Sequence, residues 1–191
     1  MPHEPGILLL AAGQSRRFRS HKLMHLMSDG RPMVLHSLDI YRSLGLPLSV
    51  VVKQEDVEFH DLLRKERVSF QVNSEAASGI GASIACGVRM NPDWNGWLIA
   101  LADMPFIRSK TVEQIVAKIE PEKIIRPVYQ GKVGQPVGFG RNFQTPLMAL
   151  QGDTGGRSVV ERNPERLQLL SVNDPGILYD IDTRQDLGCY L

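Results

Sequence analysis

Five short stretches concentrate side chains that could do chemistry. In "LLLAAGQSRRFRSHK" an apolar run ending at Leu10 passes through Ala11-Ala12-Gly13 into Arg16, Arg17, Arg19 and Lys22. Small residues let backbone amides approach a ligand closely, and successive N–H groups can cradle phosphate oxygens. Arg17 can fork two donors onto a phosphate, and Lys22 can set a point charge on another oxygen. The set suits a triphosphate. It matches neither GxGxxG nor GxxxxGK[ST], which disfavours a dinucleotide dehydrogenase and a P-loop ATPase. A tight turn followed by a solvated basic loop is the plainer reading of the same residues.

The second stretch is "LIALADMPF", where Asp103 follows an apolar run. Magnesium takes one or two protein carboxylates plus phosphate oxygens, so a carboxylate here could hold it. Asp before Met-Pro also suits a turn. In "YDIDTRQDL", Asp180 and Asp182 alternate with Ile181, so on a short strand both would face one side and either could be a second metal ligand. Asp182 or Thr183 also suits the N-cap of a last helix. "QGDTGGRSVV" offers Asp153 and Arg157 as an anion-binding loop or a helix start. "NSEAASGIGASIACGV" offers Gly79 and Gly81 for close backbone approach and Ser83 for a base edge, or a loop entering an Ala-rich helix. His21 and His25 have i, i+4 spacing but no third ligand, and read as loop residues. Trp94 and Trp97 read as packing residues.

These residues need elements to carry them. Short apolar runs at 6–11, 48–53, 68–72, 96–102 and 123–128 read as strands, with 136–140 and 167–172 as additions. Several are apolar throughout, as in strands covered on both faces. Helical patterns fall between them. Residues 31–45 carry Val34, Leu38 and Tyr41 on one stripe, with Pro32 near the start and Gly45 as the stop. Residues 109–120 repeat Val112, Ile115, Val116 and Ile119 behind Ser109 as a cap. Residues 145–152 and 154–163 read as short helices. Strand alternating with helix predicts an α/β fold around a mostly parallel sheet. Ligands in such folds bind beyond the carboxyl ends of strands, where Ala11 to Gly13 and Asp103 would stand.

Composition narrows the function classes. The chain has 191 residues, 42% hydrophobic and 23% charged, which predicts one soluble domain over residues 1–191. A net charge of +1 gives no global pull toward nucleic acid or membrane. The two cysteines, Cys86 and Cys189, form no CxxC pair, so neither a zinc knuckle nor a disulfide framework is indicated. With no leader pattern and no long apolar run, a cytoplasmic protein is expected.

Taken in order, the motifs resemble one family. "LAAGQSRRFRSHK" is similar to the nucleotidyltransferase signature LAAGxSxRMGxxK. "ADMP", "GQP", "GDTGGR" and "DIDTRQDL" follow in the order found in molybdenum cofactor cytidylyltransferases and their guanylyltransferase relatives, the MobA-like NTP transferases. The resemblance implies a three-layer, Rossmann-like nucleotidyltransferase fold. It implies CMP transfer from CTP to the phosphate of molybdopterin with release of pyrophosphate. By position, Leu10 to Gly13, Arg17 and Lys22 would hold the nucleotide, and Gly79, Gly81 and Ser83 would face its base. Lys22, Arg17 and Asp103 would serve catalysis. Asp103, with Asp180 or Asp182, would bind Mg²⁺. Gly134-Gln135-Pro136, Asp153 and Arg157 would line the acceptor side. A molybdenum hydroxylase apoenzyme is an implied partner. The family's Met-Gly is Phe18-Arg19 here, which alters the loop around Arg17, and Gln135 stands where His or Asn is usual. The guanylyl branch shows LAGG, so Ala12 favours CTP over GTP. GTP use, another phosphorylated acceptor, and a non-catalytic cofactor chaperone are the competing readings; retention of Lys22 and Asp103 weighs against the chaperone.

Overall fold

A computed structural model describes residues 4–13, 18, 21–183 and 185–186. Arg17 and Cys189, both singled out above, lie outside the described residues. The strands are β1 (Gly6–Leu10), β2 (Leu48–Lys53), β3 (Phe70–Asn73), β4 (Gly96–Leu101), β5 (Ile124–Tyr129), β6 (Lys132–Val133), β7 (Val137–Gly140) and β8 (Leu167–Ser171). They form one sheet in the order β3-β2-β1-β4-β7-β5-β6, with β8 paired to β5. The β3-β2-β1-β4 portion is parallel throughout, β7 enters antiparallel between β4 and β5, and β8 returns parallel to β5.

Side chains on β1 alternate between two cores, as the two-residue period of a strand requires. Ile7, Leu9 and Ala11 join the core covered by α1 (Met33–Arg42), α2 (Val57–Lys65) and α4 (Ser109–Val116). Leu8, Leu10 and Ala12 join the core covered by α3 (Ile80–Met90), α5 (Gln144–Met148) and α6 (Arg157–Glu161). Helices on both faces make three layers, and double coverage explains why β1 has no polar position. Val34, Leu38 and Tyr41 are fully buried on α1, and Val112 and Ile115 on α4, as their stripes predict. Gly45, at φ +67°, follows the end of α1. Trp97 is fully buried, a packing residue as expected.

Some local expectations fail. Ser109 is the first residue of α4 rather than its cap, and its hydroxyl donates to Ile40 O. Residues 179–182 form no strand; their backbone is tied instead through Ile181 N to Asp103 O at 3.0 Å. By contrast, Asp186 Oδ2 receives the amides of Asp182 and Thr183 while Asp186 N donates to Thr183 O, the reciprocal pattern of a capping box with Thr183 at the cap, and the residues beyond Asp186 lie outside the described residues. The helix α2 was not expected, because only Phe59, Leu62 and Leu63 among its central residues are apolar.

Topology assembles the site. Leu10 and Leu101 are register partners at the carboxyl ends of β1 and β4, and Ala102 N bonds Leu10 O. The residues leaving these two strands, Ala11 to Gly13 and Asp103, are therefore neighbours, about one strand spacing apart.

Candidate active site

Lys22 opens a short 3₁₀ turn, Lys22–Met24, that points its stem inward; the residue is 7% exposed. Its ammonium donates to Asp103 Oδ2 at 2.7 Å and to Asp182 Oδ1 at 3.2 Å. Burial works to lower the pKa of Lys22, but the charges and hydrogen bonds of Asp103 and Asp182 outweigh it and leave it above its ordinary value. Burial also drives Asp103 upward. Lys22 pulls it back only in part, Asp180 adds repulsion, and the carboxyl ends above its ordinary range. Asp103 Oδ1 is buried with no hydrogen-bond partner among the described residues. A buried carboxylate oxygen without a partner is costly, and a cation reaching it would relieve the cost. Tyr41 lies under this pair. Its hydroxyl is buried without a partner among the described residues, and burial pushes its pKa upward, with the Asp103 charge adding.

Beside Lys22 and Asp103 opens a cavity of about 410 Å³, within the range that holds small-molecule ligands. Leu10, Ala11, Ala12 and Gly13 form one side, and Gly79, Ile80 and Ser83 the other. A Cβ on Gly13 would meet nothing within 4 Å, so the turn faces open space. The structure thus brings together Leu10 to Gly13, Lys22, Gly79, Ser83 and Asp103.

Three expected residues, Gly81, Asp153 and Asp180, are placed differently. Gly81 does not line the cavity. Its amide donates to Gly152 O at 2.8 Å, and a Cβ there would come within 2.5 Å of Thr154 O. The close approach this glycine permits is that of the chain's own 151–154 segment. Gly79, at φ +122°, is pressed the same way against Gly152 and Asp153 while still lining the cavity. Asp153, expected beside Arg157 on the acceptor side, lines the first cavity instead. Arg157 lines a separate space with Gln135 and Arg126. Asp180 and Asp182 also part: Asp182 meets Lys22, whereas Asp180 faces a cavity of about 240 Å³ with Gly134 and Gln135. Pro136 is buried at the start of β7, and Gly134 packs so closely on Ile177 that a Cβ would lie 2.4 Å from its carbonyl oxygen.

Residues absent from the sequence argument also enter. Asn73, at the carboxyl end of β3, is buried; its Oδ1 accepts from Glu75 N at 3.0 Å, so its Nδ2 must be the group facing Ser83 Oγ at 3.2 Å. Ser83 accepts that bond, which leaves its O–H as a donor on the cavity side. The strand-end rule could have found Asn73. His21 does not join a metal site: its Nε2 lies 2.9 Å from Asp56 Oδ2, out of hydrogen-bond alignment, and Lys53 holds the other Asp56 oxygen at 3.3 Å. His25 packs edge-on to Phe18. Among the described residues no three His, Cys, Asp or Glu side chains converge as a metal cluster, so a cation here would draw part of its coordination from a ligand. Among them, too, no helix is long and apolar enough to cross a membrane.

The three-layer fold, with a small-residue turn, a lysine and a carboxylate at adjoining strand ends, defines the class of nucleotidyltransferase-like α/β proteins. The chain belongs to the MobA-like NTP transferase domain family, whose profile matches residues 7–167. It is 30% identical over 142 residues to the bifunctional protein GlmU of Syntrophotalea carbinolica, covering 72% of this chain and 30% of that protein. It spans about a third of the length of the curated relatives it matches. Among solved structures, it resembles Rv0371c from Mycobacterium tuberculosis H37Rv at TM-score 0.82 and 24% identity, covering 97% of both chains. The manganese complex of Rv0371c matches at TM-score 0.82 and 21% identity, covering 99% and 98%. The molybdopterin-guanine dinucleotide biosynthesis protein A of Archaeoglobus fulgidus matches at TM-score 0.66 and 16% identity, covering 96% and 95%. At such identities these structures speak for the fold.

Proposed function

We propose that this protein is a magnesium-dependent cytidylyltransferase that moves CMP from CTP to the phosphate of a molybdopterin-type acceptor, releasing pyrophosphate. One observation carries the reading: a nucleotide-sized cavity is bounded by Ala11 to Gly13 and Ser83, with Lys22, Asp103 and Asp182 gathered at its edge. The acceptor's phosphate oxygen would form the new bond to the α-phosphorus while the bond to the β-phosphate bridge breaks. The nucleophile is already anionic, so the protein needs no strong base. Its tasks are positioning and offsetting charge.

Lys22 stays an ammonium and would exchange its carboxylate partners for β- and γ-phosphate oxygens as the triphosphate enters. The amides of Ala12 and Gly13 would hold the nucleotide backbone, with Arg17 beside them; that of Ala11 is bonded to Val51 O at 2.9 Å. Ser83, oriented by Asn73, would donate to the base. Asp103 and Asp182 fit a hard cation, since both offer carboxylate oxygens and Asp103 Oδ1 is unpartnered among the described residues. Magnesium held there would screen the triphosphate charge. Ala12 sets a methyl group on the cavity wall, which would crowd a purine more than a pyrimidine.

The test is pyrophosphate release with magnesium, molybdopterin and each of the four NTPs. Turnover with CTP exceeding GTP is expected, and Ala12→Gly should shift the preference toward GTP without inverting it. GTP exceeding CTP in the native protein would overturn the cytidylyl assignment. A second reading keeps the transfer but changes the phosphorylated acceptor. It is favoured by the 30% identity to GlmU over 142 residues. Release that depends on a phosphosugar rather than on molybdopterin would select it.

A further inference from the structure

Arg126 is a cation with no ion-pair partner among the described residues. It sits inside β5, between the residues paired to β7 and those paired to β6, half-buried, beside Gln135 and Arg157. Among the described residues it pairs with no carboxylate, and its guanidinium makes one long hydrogen bond, Nε to Gly134 O at 3.4 Å. Most half-buried arginines satisfy their fork with a carboxylate or several carbonyls. Burial lowers the pKa of Arg126, and the nearby positive charge of Arg157 lowers it further. Two arginines are thus held within electrostatic range, and Asp180, which lines one cavity with Arg126, forms no ion pair with it. Arg157 does bond Glu161 at 2.7 Å, but that pair is exposed and easily exchanged.

Position gives this arrangement a meaning. Arg126 and Gln135 line two small cavities, one shared with Arg157 and one shared with Asp180. Leu101 lines both, and it also lines the large cavity that holds Lys22 and Asp103. The unpaired arginine therefore stands across the end of β4 from the triphosphate candidates. A phosphate monoester brought beside a triphosphate meets strong repulsion, and a forked cation on its far side is the usual remedy.

We infer that Arg126, with Arg157 and the Gln135 amide, forms an anion subsite for the phosphoryl group of the acceptor. The inference rests on the transferase reading for the identity of the second substrate. The subsite itself needs only a phosphate monoester. Arg126 supplies the fork, Arg157 closes it from the rim, and Gln135 donates one further bond. This face then selects acceptors by a terminal phosphate and is indifferent to the nucleotide base.

Phenyl phosphate is the probe, titrated calorimetrically into the full chain with and without saturating magnesium and a non-hydrolysable CTP analogue. Arg126→Met keeps the stem and removes the charge; it should weaken phenyl phosphate at least 10-fold and leave CTP-analogue affinity within 2-fold. Arg126→Lys, which keeps a point charge, should fall between. Phenyl phosphate affinity unchanged in both variants overturns the subsite. Equal losses for phenyl phosphate and the CTP analogue also overturn it, because the arginine would then belong to the nucleotide. Arg126-dependent phenyl phosphate binding in a protein that binds no NTP leaves the subsite standing and defeats the transferase reading.

Discussion

Lys22 and Arg126 are cations on opposite sides of Leu101, and they keep opposite company. Lys22 is buried against two carboxylates, within 3.2 Å of each. Arg126 faces a second arginine and, although it shares a cavity with Asp180, forms no ion pair with a carboxylate among the described residues. A neutralised cation beside an unpartnered carboxylate oxygen suits a ligand that brings both charges, an anion for the lysine and a cation for the carboxylates. An unneutralised cation suits a ligand that brings an anion alone. A triphosphate with its metal is the first kind, and a phosphate monoester is the second. On the proposed reading, the asymmetry would divide the two substrates between the two sides of β4.

The strongest blow to this division falls on Asp103. Asp103→Asn retains the shape of the side chain and removes its charge, so circular dichroism should be unchanged. Transfer should fall at least about 10²-fold, the scale for losing a principal electrostatic group. Near-native turnover at saturating magnesium would remove Asp103 from the metal role.

Lys22→Ala comes next. Losing a charge-assisted bond to phosphate costs about 1.5–3 kcal/mol, or about 10–100-fold. That loss should appear for CTP and be nearly absent for cytidine, which has no phosphate. Equal losses for both ligands would mean that Lys22 shapes the cavity and does not meet phosphate.

The placing of these two residues was legible in the sequence because Asp103 follows one apolar strand and Lys22 closes the basic loop that leaves another, and strand ends are where ligands gather. The fold was legible for the same reason: "GILLL" has no polar position, which only a doubly covered strand tolerates. Other features were not. A glycine announces that something comes close, but not what, so Gly81 was read toward a ligand when Gly152 and Thr154 are its neighbours. Alternation put Asp180 with Asp182, yet that inference needs a strand, and residues 179–182 have none. Arg126 lies inside a strand with no motif around it. Its meaning comes from Arg157, which lies more than two dozen positions away and meets it only in the fold.

Asn73 sharpens the comparison on the base side of the cavity. Asn73→Ala should free the Ser83 hydroxyl to turn, and it removes no group that touches phosphate. The ratio of kcat/KM for CTP over GTP should fall by about 2–10-fold, the worth of one neutral hydrogen bond. A fall in kcat with an unchanged ratio would mark a merely structural role.

A further effect concerns stability and not turnover, and it tests whether Lys22 and Asp103 are held as a pair at the expense of the fold. Their side chains are 9% and 22% exposed. Removing either alone strands the other: Lys22→Met leaves a buried carboxylate, and Asp103→Asn leaves an ammonium with Asp182 only. Removing both strands neither, and replacing a buried pair with neutral groups is often neutral or stabilising. The double variant should therefore be more stable than the sum of the singles predicts, by about 1–3 kcal/mol. Its pH dependence follows from the direction of each shift. Asp103 is raised from 3.8, so its contribution is present at acid pH and is lost as pH rises through its folded value. Lys22 is raised from 10.5, so its contribution persists below that pH and is lost only in strong alkali. Both losses belong to the native protein and not to the double variant. Denaturant midpoints should move in favour of the double variant as pH rises above 3.8, and again above 10.5 as lysine titrates. Additive singles, with midpoints that track the native protein at every pH, would show that the pair is not coupled. The contrast with Arg126 would then lose its electrostatic basis.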